Sequence, residues 1–263
     1  LHNGWSKDHF QLAPVDVPIT AHPDLLVEAL LDATDGDAPP SRDDWPVHLD
    51  PEEDLGETGS GGILVPQLAE ALHDALSGRR VSYAGLPFGW RGVDVDIEGP
   101  LDYLGRNGGG GVGAGPGIAV GVALALDGSG RLPVAVLGDG DFLMGSSALW
   151  TAAHHRLPLL IVVANNRSYF NDEVHQHTVA AVRGRPLENR VVGQHLRNPD
   201  PDIAGLARSF GLKGHGPVHD LGGLKAVLDT AVAEVESGDA VVVDVRVSPR
   251  GYPGMPAARR GDT

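Results

Sequence analysis

Two short apolar runs in the middle of the chain predict a pair of buried strands. The runs are Pro133–Leu137 and Leu159–Ala164, each rich in branched residues and bounded by residues that break regular structure. Both are too short for a helix, so each is interpreted as a strand covered on both faces. Between them, Gly145–His155 predicts a helix, with Ser146 as its N-cap and Pro158 as the stop after it. Such a strand, helix and strand form a parallel pair joined by a right-handed crossover.

Apolar spacing elsewhere predicts further helices and strands of an α/β fold. The predicted elements are a helix at Leu64–Leu76, a strand at Val81–Ala84, helices at Ile118–Leu126 and Ile203–Phe210, a short strand near Lys213–His215, a helix at Leu221–Val235 and a strand at Ala240–Val247. Together with the central pair, they indicate an open, mostly parallel, doubly wound sheet with helices on both faces.

By composition the chain divides into four parts. These are residues 1–35, the remnant of a domain; 36–58, an acidic linker rich in Asp, Glu and Pro; 59–250, the main domain; and 251–263, an irregular tail. The first part predicts one strand, Val15–Ile19, and one helix, Pro23–Leu31. Because two such elements cannot bury a core alone, we expect the rest of that domain to lie upstream.

Charge and composition narrow the possible partners. The 263 residues carry a net charge of −15, which disfavours nucleic acid and anionic membranes as partners. There is no cysteine, so disulfides and thiolate metal sites are excluded. No apolar run approaches the roughly 20 residues of a membrane span, and no signal peptide is visible. We therefore expect a cytoplasmic protein.

Glycine is concentrated in one segment, which predicts a ligand-binding loop. Nine of the 37 glycines lie in Gly105–Gly121, and Pro116 suits the first turn of the helix that follows. A dinucleotide-binding loop is the alternative interpretation, because Gly109–Ala114 loosely fits that fingerprint. However, no clear strand precedes the segment, and no acidic residue ends a second strand at the expected distance.

Polar residues follow both central strands. Asp139, flanked by Gly138 and Gly140, comes after the first strand, and Asn165 and Asn166 come after the second. If the strands are direct neighbours, they lie roughly 5 Å apart, so a carboxylate and an amide oxygen can converge at the edge where parallel sheets bind ligands. These oxygens and nearby backbone N–H groups suit a divalent cation that carries a diphosphate. The alternative is an ordinary crossover with turn-forming residues.

The spacing of these residues resembles a known motif. The motif of thiamine diphosphate (ThDP)-dependent enzymes is similar to the pattern found here, in which 24 residues separate Gly138–Gly140 from Asn165–Asn166. The resemblance implies ThDP and Mg²⁺ as cofactors. It also implies that the metal ligands are the side chains of Asp139 and Asn166 and the carbonyl of Ser168.

The same resemblance implies the other contacts of the cofactor. They are Leu86, Pro87, Gly110, Val112, Gly138, Gly140, Asp141, Phe142, Tyr169, Phe170 and Asn171. The carbonyl of Gly110 is expected to accept a hydrogen bond from the aminopyrimidine ring, and Val112 to wedge between the two rings. The residues expected to act in catalysis or to face the substrate are these two and Asp172, Glu173, His175 and Gln176.

The resemblance implies cleavage or formation of a C–C bond next to a carbonyl. The residues from Asn165 to Gln176 favour the branch of acetolactate synthase, 2-oxo acid decarboxylases and related carboligases, with a 2-oxo acid or a 2-hydroxy ketone as substrate. A 2-hydroxyacyl-CoA lyase or an oxalyl-CoA decarboxylase-like enzyme, with an acyl-CoA substrate, is the first alternative. A non-catalytic subunit of the same fold and an NAD(P)-binding Rossmann protein are the others.

One part of such a site is not recognisable in this sequence. Enzymes of the family need a glutamate on a pyrimidine-binding domain to activate the cofactor, and no stretch here resembles that domain. We expect it upstream on the same polypeptide or on a partner subunit, in a dimer or tetramer. The stretch Val15–Ala33 resembles the closing strand and helix of the central domain of acetolactate synthase-like enzymes, so we expect the rest of that central domain upstream.

Overall fold

The computed structural model describes residues 22–33, 62–87, 90, 94–105 and 111–248 of the chain. The chain divides into two units, Leu1–Asp54 and Leu55–Thr263. In the first unit the structure describes helix α1, Pro23–Ala33, close to its predicted bounds. The predicted strand Val15–Ile19, the linker at 36–58 and the tail at 251–263 lie outside the described residues, so the division into four parts stays a prediction.

A five-stranded sheet forms the centre of the second unit. Its strands are β1 (Val81–Tyr83), β2 (Leu132–Gly138), β3 (Leu159–Asn165), β4 (Lys213–Val218) and β5 (Ala240–Arg246). Their order across the sheet is β1-β2-β3-β5-β4, and each neighbouring pair is parallel. This arrangement confirms the predicted α/β fold with a parallel sheet.

Helices cover both faces of the sheet. They are α2 (Val65–Leu76), α3 (Gly115–Ala125), α4 (Asp139–Gly145), α5 (Leu149–His155), α6 (Phe170–Val182), α7 (Ile203–Ser209) and α8 (Leu221–Glu236). One hydrophobic cluster joins α2 and α8 to one face, and a second joins α3, α4, α5 and α7 to the other. In the part of the chain that is described, no helix combines the length and apolar character that a membrane span needs.

The alternation of β2 explains how both faces are packed. Val134 and Val136 belong to the cluster with α2 and α8, whereas Ala135 and Leu137 belong to the opposite cluster. Side chains alternate between the faces of a strand, so a strand covered on both sides must be apolar at every position. This is why an unbroken apolar run predicted β2 correctly.

The crossover between β2 and β3 begins earlier than the sequence predicted. The expected helix Gly145–His155 is replaced by α4, which starts at Asp139, by a 3₁₀ turn at Ser146–Ala148 and by α5. Ser146 is not an N-cap, because its hydroxyl donates to the Leu143 carbonyl at 3.3 Å. The chain therefore turns into a helix directly at the end of β2. The other predicted elements that fall on described residues are present within a few residues of their expected ends.

The sheet brings three strand ends together. β2 and β3 are direct neighbours, and Gly138 pairs with Ala164 in register. Asp139 therefore follows β2 at the level where β3 reaches Asn165. On the other side of β3, Asn165 pairs with Arg246 of β5. The residues after β2 and β3 thus lie side by side at the carboxyl edge, with β5 as a third neighbour.

Candidate active site

A cavity of about 410 Å³ opens at the carboxyl ends of β1, β2 and β3. This volume lies within the range of roughly 300–1,000 Å³ that small-molecule and cofactor sites occupy. Most of the residues predicted to bind the cofactor line it: Leu86, Pro87, Val112, Gly138, Asp139, Gly140, Asp141, Asn166, Ser168, Tyr169, Phe170 and Asn171. Asp172, predicted to act in catalysis or to face the substrate, lines it as well. None of the described lining residues is Lys, Arg or His.

Asp139 and Asn166 meet at one backbone N–H group. The amide nitrogen of Ser168 lies 3.2 Å from Asp139 Oδ2 and 2.8 Å from Asn166 Oδ1. Because both oxygens accept from the same donor, they point to the same place. The convergence expected from two neighbouring strand ends is therefore present. The role of these oxygens as metal ligands stays a prediction.

The environment of Asp139 suits a bound cation. The residue is 2 % exposed, and burial raises the pKa of its carboxyl to about 6, although hydrogen bonds from backbone N–H groups oppose the shift. One of these donors, Gly140 N–H, lies 3.0 Å from Asp139 Oδ1. A divalent cation would stabilise the ionised form that burial disfavours.

Any metal held here must use more than acidic side chains. Within the described ranges, no group of three or more His, Cys, Asp and Glu side chains could hold a metal ion. A site on this edge would therefore combine one carboxylate with amide and backbone oxygens and with oxygens of a ligand. Such an oxygen-rich set, completed by phosphate, is typical of Mg²⁺.

Asn165, the first of the two asparagines, has a different environment from Asn166. It is buried, and its Oδ1 accepts hydrogen bonds from Arg167 N–H at 3.1 Å and from Arg246 Nη1 at 3.2 Å. Its Nδ2 donates to Asp244 Oδ1 at 2.8 Å. Arg167 adopts a left-handed conformation with φ of 60°. Asn165 thus stabilises the turn that brings Asn166 to Asp139.

The sequence did not predict this network, because it depends on β5 lying beside β3. Asp244 and Arg246 belong to β5, more than 70 residues from Asn165 along the chain. Burial raises the pKa of the Asp244 carboxyl, while the hydrogen bond from Asn165 and the charge of Arg246 oppose that shift. The two adjacent asparagines were recognisable in the sequence, but nothing in the sequence pattern indicated the partners of Asn165.

Glu173 was expected to face the substrate, and the structure places it elsewhere. Its side chain is buried, accepts a hydrogen bond from the Ser168 hydroxyl and lies 3.0 Å from His195 Nε2. The Tyr169 N–H also donates to the Gln194 carbonyl at 3.0 Å. Glu173 therefore links α6 to the turn after β3 and to the segment around His195, and it does not line the cavity.

Three further predicted residues also differ in position. Phe142 is fully buried in the core, since it lies one helical turn after Asp139 and points toward the sheet. His175 and Gln176 are exposed on α6 and are absent from the cavity lining. Because α6 begins at Phe170, its first residues face the cavity and the following turn faces away. Gly110 lies outside the described residues.

Several lining residues were not predicted. They include Val65, Ala84, Gly85, Gly111, Gly115, Ile118, Val136, Leu137, Ala164, Val247 and Ser248. Most are small or apolar side chains, which carry no chemical signature in a sequence. Val247 and Ser248 follow β5, so the strand-end rule could have found them if the strand order had been known.

The structure speaks against a dinucleotide-binding loop. A Rossmann loop follows a strand directly and presents a helix N-terminus to pyrophosphate. Among the described residues, the last strand before α3 is β1, which ends at Tyr83, whereas α3 begins only at Gly115. The Asp141 carboxylate already accepts hydrogen bonds from the N–H groups of Gly113 and Gly115 at the start of α3.

The fold and the cavity define a cofactor-binding domain of the α/β class, and comparison with known proteins identifies its family. Residues 88–245 match the family model of the thiamine pyrophosphate enzymes, C-terminal TPP binding domain. This match covers more than half of the chain. The chain therefore belongs to the thiamine pyrophosphate enzyme family and contains its C-terminal TPP binding domain.

Solved structures agree with this assignment. A ThDP-dependent 4-hydroxybenzoylformate decarboxylase of Rhodococcus jostii RHA1 aligns with a TM-score of 0.60 and 20% identity over 75% of this chain and 34% of its own. A Mycobacterium smegmatis protein described as a thiamin diphosphate-dependent enzyme aligns at 0.56 and 27% identity, over 72% and 32%. Benzoylformate decarboxylase of Polynucleobacter necessarius aligns at 0.55 and 25% identity, over 69% and 33%.

The chain thus spans about a third of the length of these solved structures. No protein of curated function matches it. The likeness to the Rhodococcus enzyme concerns the fold alone, because the two sequences are only 20% identical.

Proposed function

We propose that this chain supplies the diphosphate- and Mg²⁺-binding half of a ThDP site. The enzyme would cleave or form a C–C bond next to a carbonyl, as 2-oxo acid decarboxylases and acetolactate synthase-like carboligases do. The observation that carries the proposal is the convergence of Asp139 Oδ2 and Asn166 Oδ1 on one N–H group beside a cofactor-sized cavity.

The residues present fit the proposed cofactor. Asp139, Asn166 and the Ser168 carbonyl would hold Mg²⁺, and the ion would hold the diphosphate, since the described lining residues offer no basic side chain. When bound, ThDP supplies a carbon nucleophile that adds to a carbonyl and then accepts the electrons left by bond cleavage. Gly110 and Val112 would hold the rings, and the apolar wall at Leu86 and Pro87 would exclude water.

A pyrimidine-binding domain with an activating glutamate would complete the site. The family match to a C-terminal domain and the coverage of about a third of each solved structure support this part of the proposal. The domain would lie upstream or on a partner subunit, in a dimer or tetramer. This chain alone would then show little turnover, because its cofactor would not be activated.

The substrate class proposed is a 2-oxo acid. Two of the similar structures are named as decarboxylases of aryl-substituted 2-oxo acids, and one of them is 25% identical to this chain. Near the metal edge the cavity is bordered by the aromatic residues Tyr169 and Phe170 and by Asp172. These three residues are the candidates for contact with the substrate.

The proposal is tested on the complete assembly, which is this chain together with its pyrimidine-binding domain. Calorimetry measures cofactor binding, and an assay of CO₂ release measures turnover. The wild type should bind Mg²⁺–ThDP and release CO₂ from a 2-oxo acid, whereas Asp139→Asn should weaken cofactor binding about 100-fold or more, because loss of even a supporting contact of a metal site costs 10–100-fold. Asp229→Asn, the same charge change on the exposed side of α8, is the control and should bind normally.

Three results would separate the alternatives. Equal binding by wild type and Asp139→Asn would contradict the proposed metal site. Binding without turnover in the complete assembly would indicate a non-catalytic subunit. Binding of a nicotinamide dinucleotide in place of ThDP would support the Rossmann alternative.

A further inference from the structure

One carboxylate, that of Asp141, holds the Gly-rich segment against α4. Asp141 Oδ1 accepts hydrogen bonds from Gly113 N–H at 2.6 Å and from Gly115 N–H at 3.3 Å. Both donors lie at the start of α3, where backbone N–H groups lack partners within the helix and favour an anion. The chain therefore fills this anion position with one of its own side chains.

Close packing on the same side reinforces this contact. A Cβ atom at Gly115 would lie 2.0 Å from Asp141 Oδ2, and one at Gly145 would lie 2.2 Å from the Gly113 carbonyl oxygen. A Cβ atom at Gly113 would lie 2.8 Å from Met144 Cβ. Any of these side chains would push the segment away from α4, so glycine permits the approach that Asp141 then fixes.

Asp141 stands between two walls of the cavity. It follows Asp139 by two residues, so it belongs to the end that would hold the metal. Through its hydrogen bonds it also fixes the segment that carries Gly111 and Val112, which line the cavity as well. A ligand anchored by its diphosphate at Asp139 must place the rest of its structure against the remaining walls, and the Gly-rich segment is one of them.

We propose that Asp141 is a positioning residue for the cofactor. It fixes Gly111 and Val112 as the wall against which the rings of ThDP lie, while the diphosphate is held separately at Asp139 and Asn166. This inference rests on the proposed function, and the following experiment distinguishes the failure of one from the failure of the other.

The experiment measures two dissociation constants on the full-length protein by calorimetry. Mg²⁺–pyrophosphate reports only on the diphosphate end of the site, whereas Mg²⁺–ThDP reports on both ends. We define the ring preference as the dissociation constant of Mg²⁺–pyrophosphate divided by that of Mg²⁺–ThDP. Asp141→Ala should lower the ring preference about tenfold, the factor expected for loss of a charge-assisted hydrogen bond. Asp141→Asn keeps one acceptor oxygen and should lower it less. Mg²⁺–pyrophosphate should bind both variants nearly as it binds the wild type.

Asp127→Asn is the matched control, because it removes an exposed carboxylate just after the other end of α3. Its ring preference should equal that of the wild type. An unchanged ring preference in Asp141→Ala would overturn the inference, and so would an equal loss of both ligands, which indicates a general structural role. If circular dichroism shows that Asp141→Ala is unfolded, Asp141→Asn decides on the same criteria. A wild type that binds neither ligand would overturn the proposed function itself.

Discussion

At the scale of single residues, the two adjacent asparagines have separate tasks. Asn166 directs its Oδ1 toward the place that Asp139 also faces, whereas Asn165 is buried and bonds to Asp244, Arg246 and the backbone of Arg167. Asn165 shapes the turn to which Asn166 belongs. A site that must hold a small cation needs its ligands fixed, and supporting hydrogen bonds of this kind provide that.

The buried pair Asn165–Asp244 makes the stability of the protein depend on pH. Burial raises the pKa of Asp244 in the folded state, so its contribution to stability is fully present below the unfolded pKa and is lost as pH rises through the folded pKa. Asp244→Asn cannot titrate, yet it can still accept the hydrogen bond from Asn165. Its free energy of unfolding should therefore rise relative to that of the wild type as pH is raised from about 4.

Urea unfolding of both proteins between pH 4 and 8 measures this difference. A difference that stays constant with pH, or one that changes in the opposite direction, would show that Asp244 does not carry a raised pKa in the folded protein. The carboxylate would then be compensated by Arg246 and its other neighbours.

A contact of the site could be predicted from the sequence when the elements that make it follow one another along the chain. The crossover from β2 to β3 and the convergence of Asp139 with Asn166 were predictable, because both follow from consecutive elements. The network around Asn165 was not, because β5 inserts between β3 and β4 and no local pattern gives that order. Glu173 was expected to face the substrate only because the resembled family places such residues at the start of this helix, and its side chain turns toward His195.

At the scale of elements, the site depends on the contact between α4 and the segment that enters α3. Glycines occur on both sides of this contact, and side chains at Gly113, Gly115 or Gly145 would collide with the facing element. These three glycines therefore allow α4 and the segment that enters α3 to pack closely against each other. Farther along α3, Gly117 and Gly121 have open space where a side chain would be.

Two alanine substitutions distinguish these classes of glycine. Gly145→Ala should destabilise the protein by about 1–3 kcal/mol, because its Cβ would meet the Gly113 carbonyl oxygen at 2.2 Å and backbone cannot move aside easily. Gly121→Ala, in the interior of α3, should be neutral or stabilise by about 0.5–1 kcal/mol through helix propensity.

Chemical denaturation of this chain measures both effects. Equal stability of Gly145→Ala and the wild type would mean that the segment before α3 can move away from α4. Such a result would also weaken the role inferred for Asp141.

At the scale of the whole molecule, the chain corresponds to one part of the longer proteins that it resembles. It belongs to the thiamine pyrophosphate enzyme family through the C-terminal binding domain and spans about a third of the solved structures it resembles. The chain has a net charge of −15 and would repel the anionic diphosphate that the cavity is proposed to bind. A divalent cation held as proposed would reconcile the two, since its charge would offset the repulsion between the diphosphate and Asp139 and the other acidic residues of the cavity.

The position of that cation tests the central claim most directly. The measurement is an anomalous-difference map of the full-length protein crystallised with ThDP and with Mn²⁺ in place of Mg²⁺. The account predicts one strong peak roughly 2.0–2.6 Å from a carboxylate oxygen of Asp139, from Asn166 Oδ1 and from the Ser168 carbonyl oxygen, the range of hard-cation contacts with oxygen. A cofactor bound with no peak between Asp139 and Asn166, or a peak held by other residues, would contradict it.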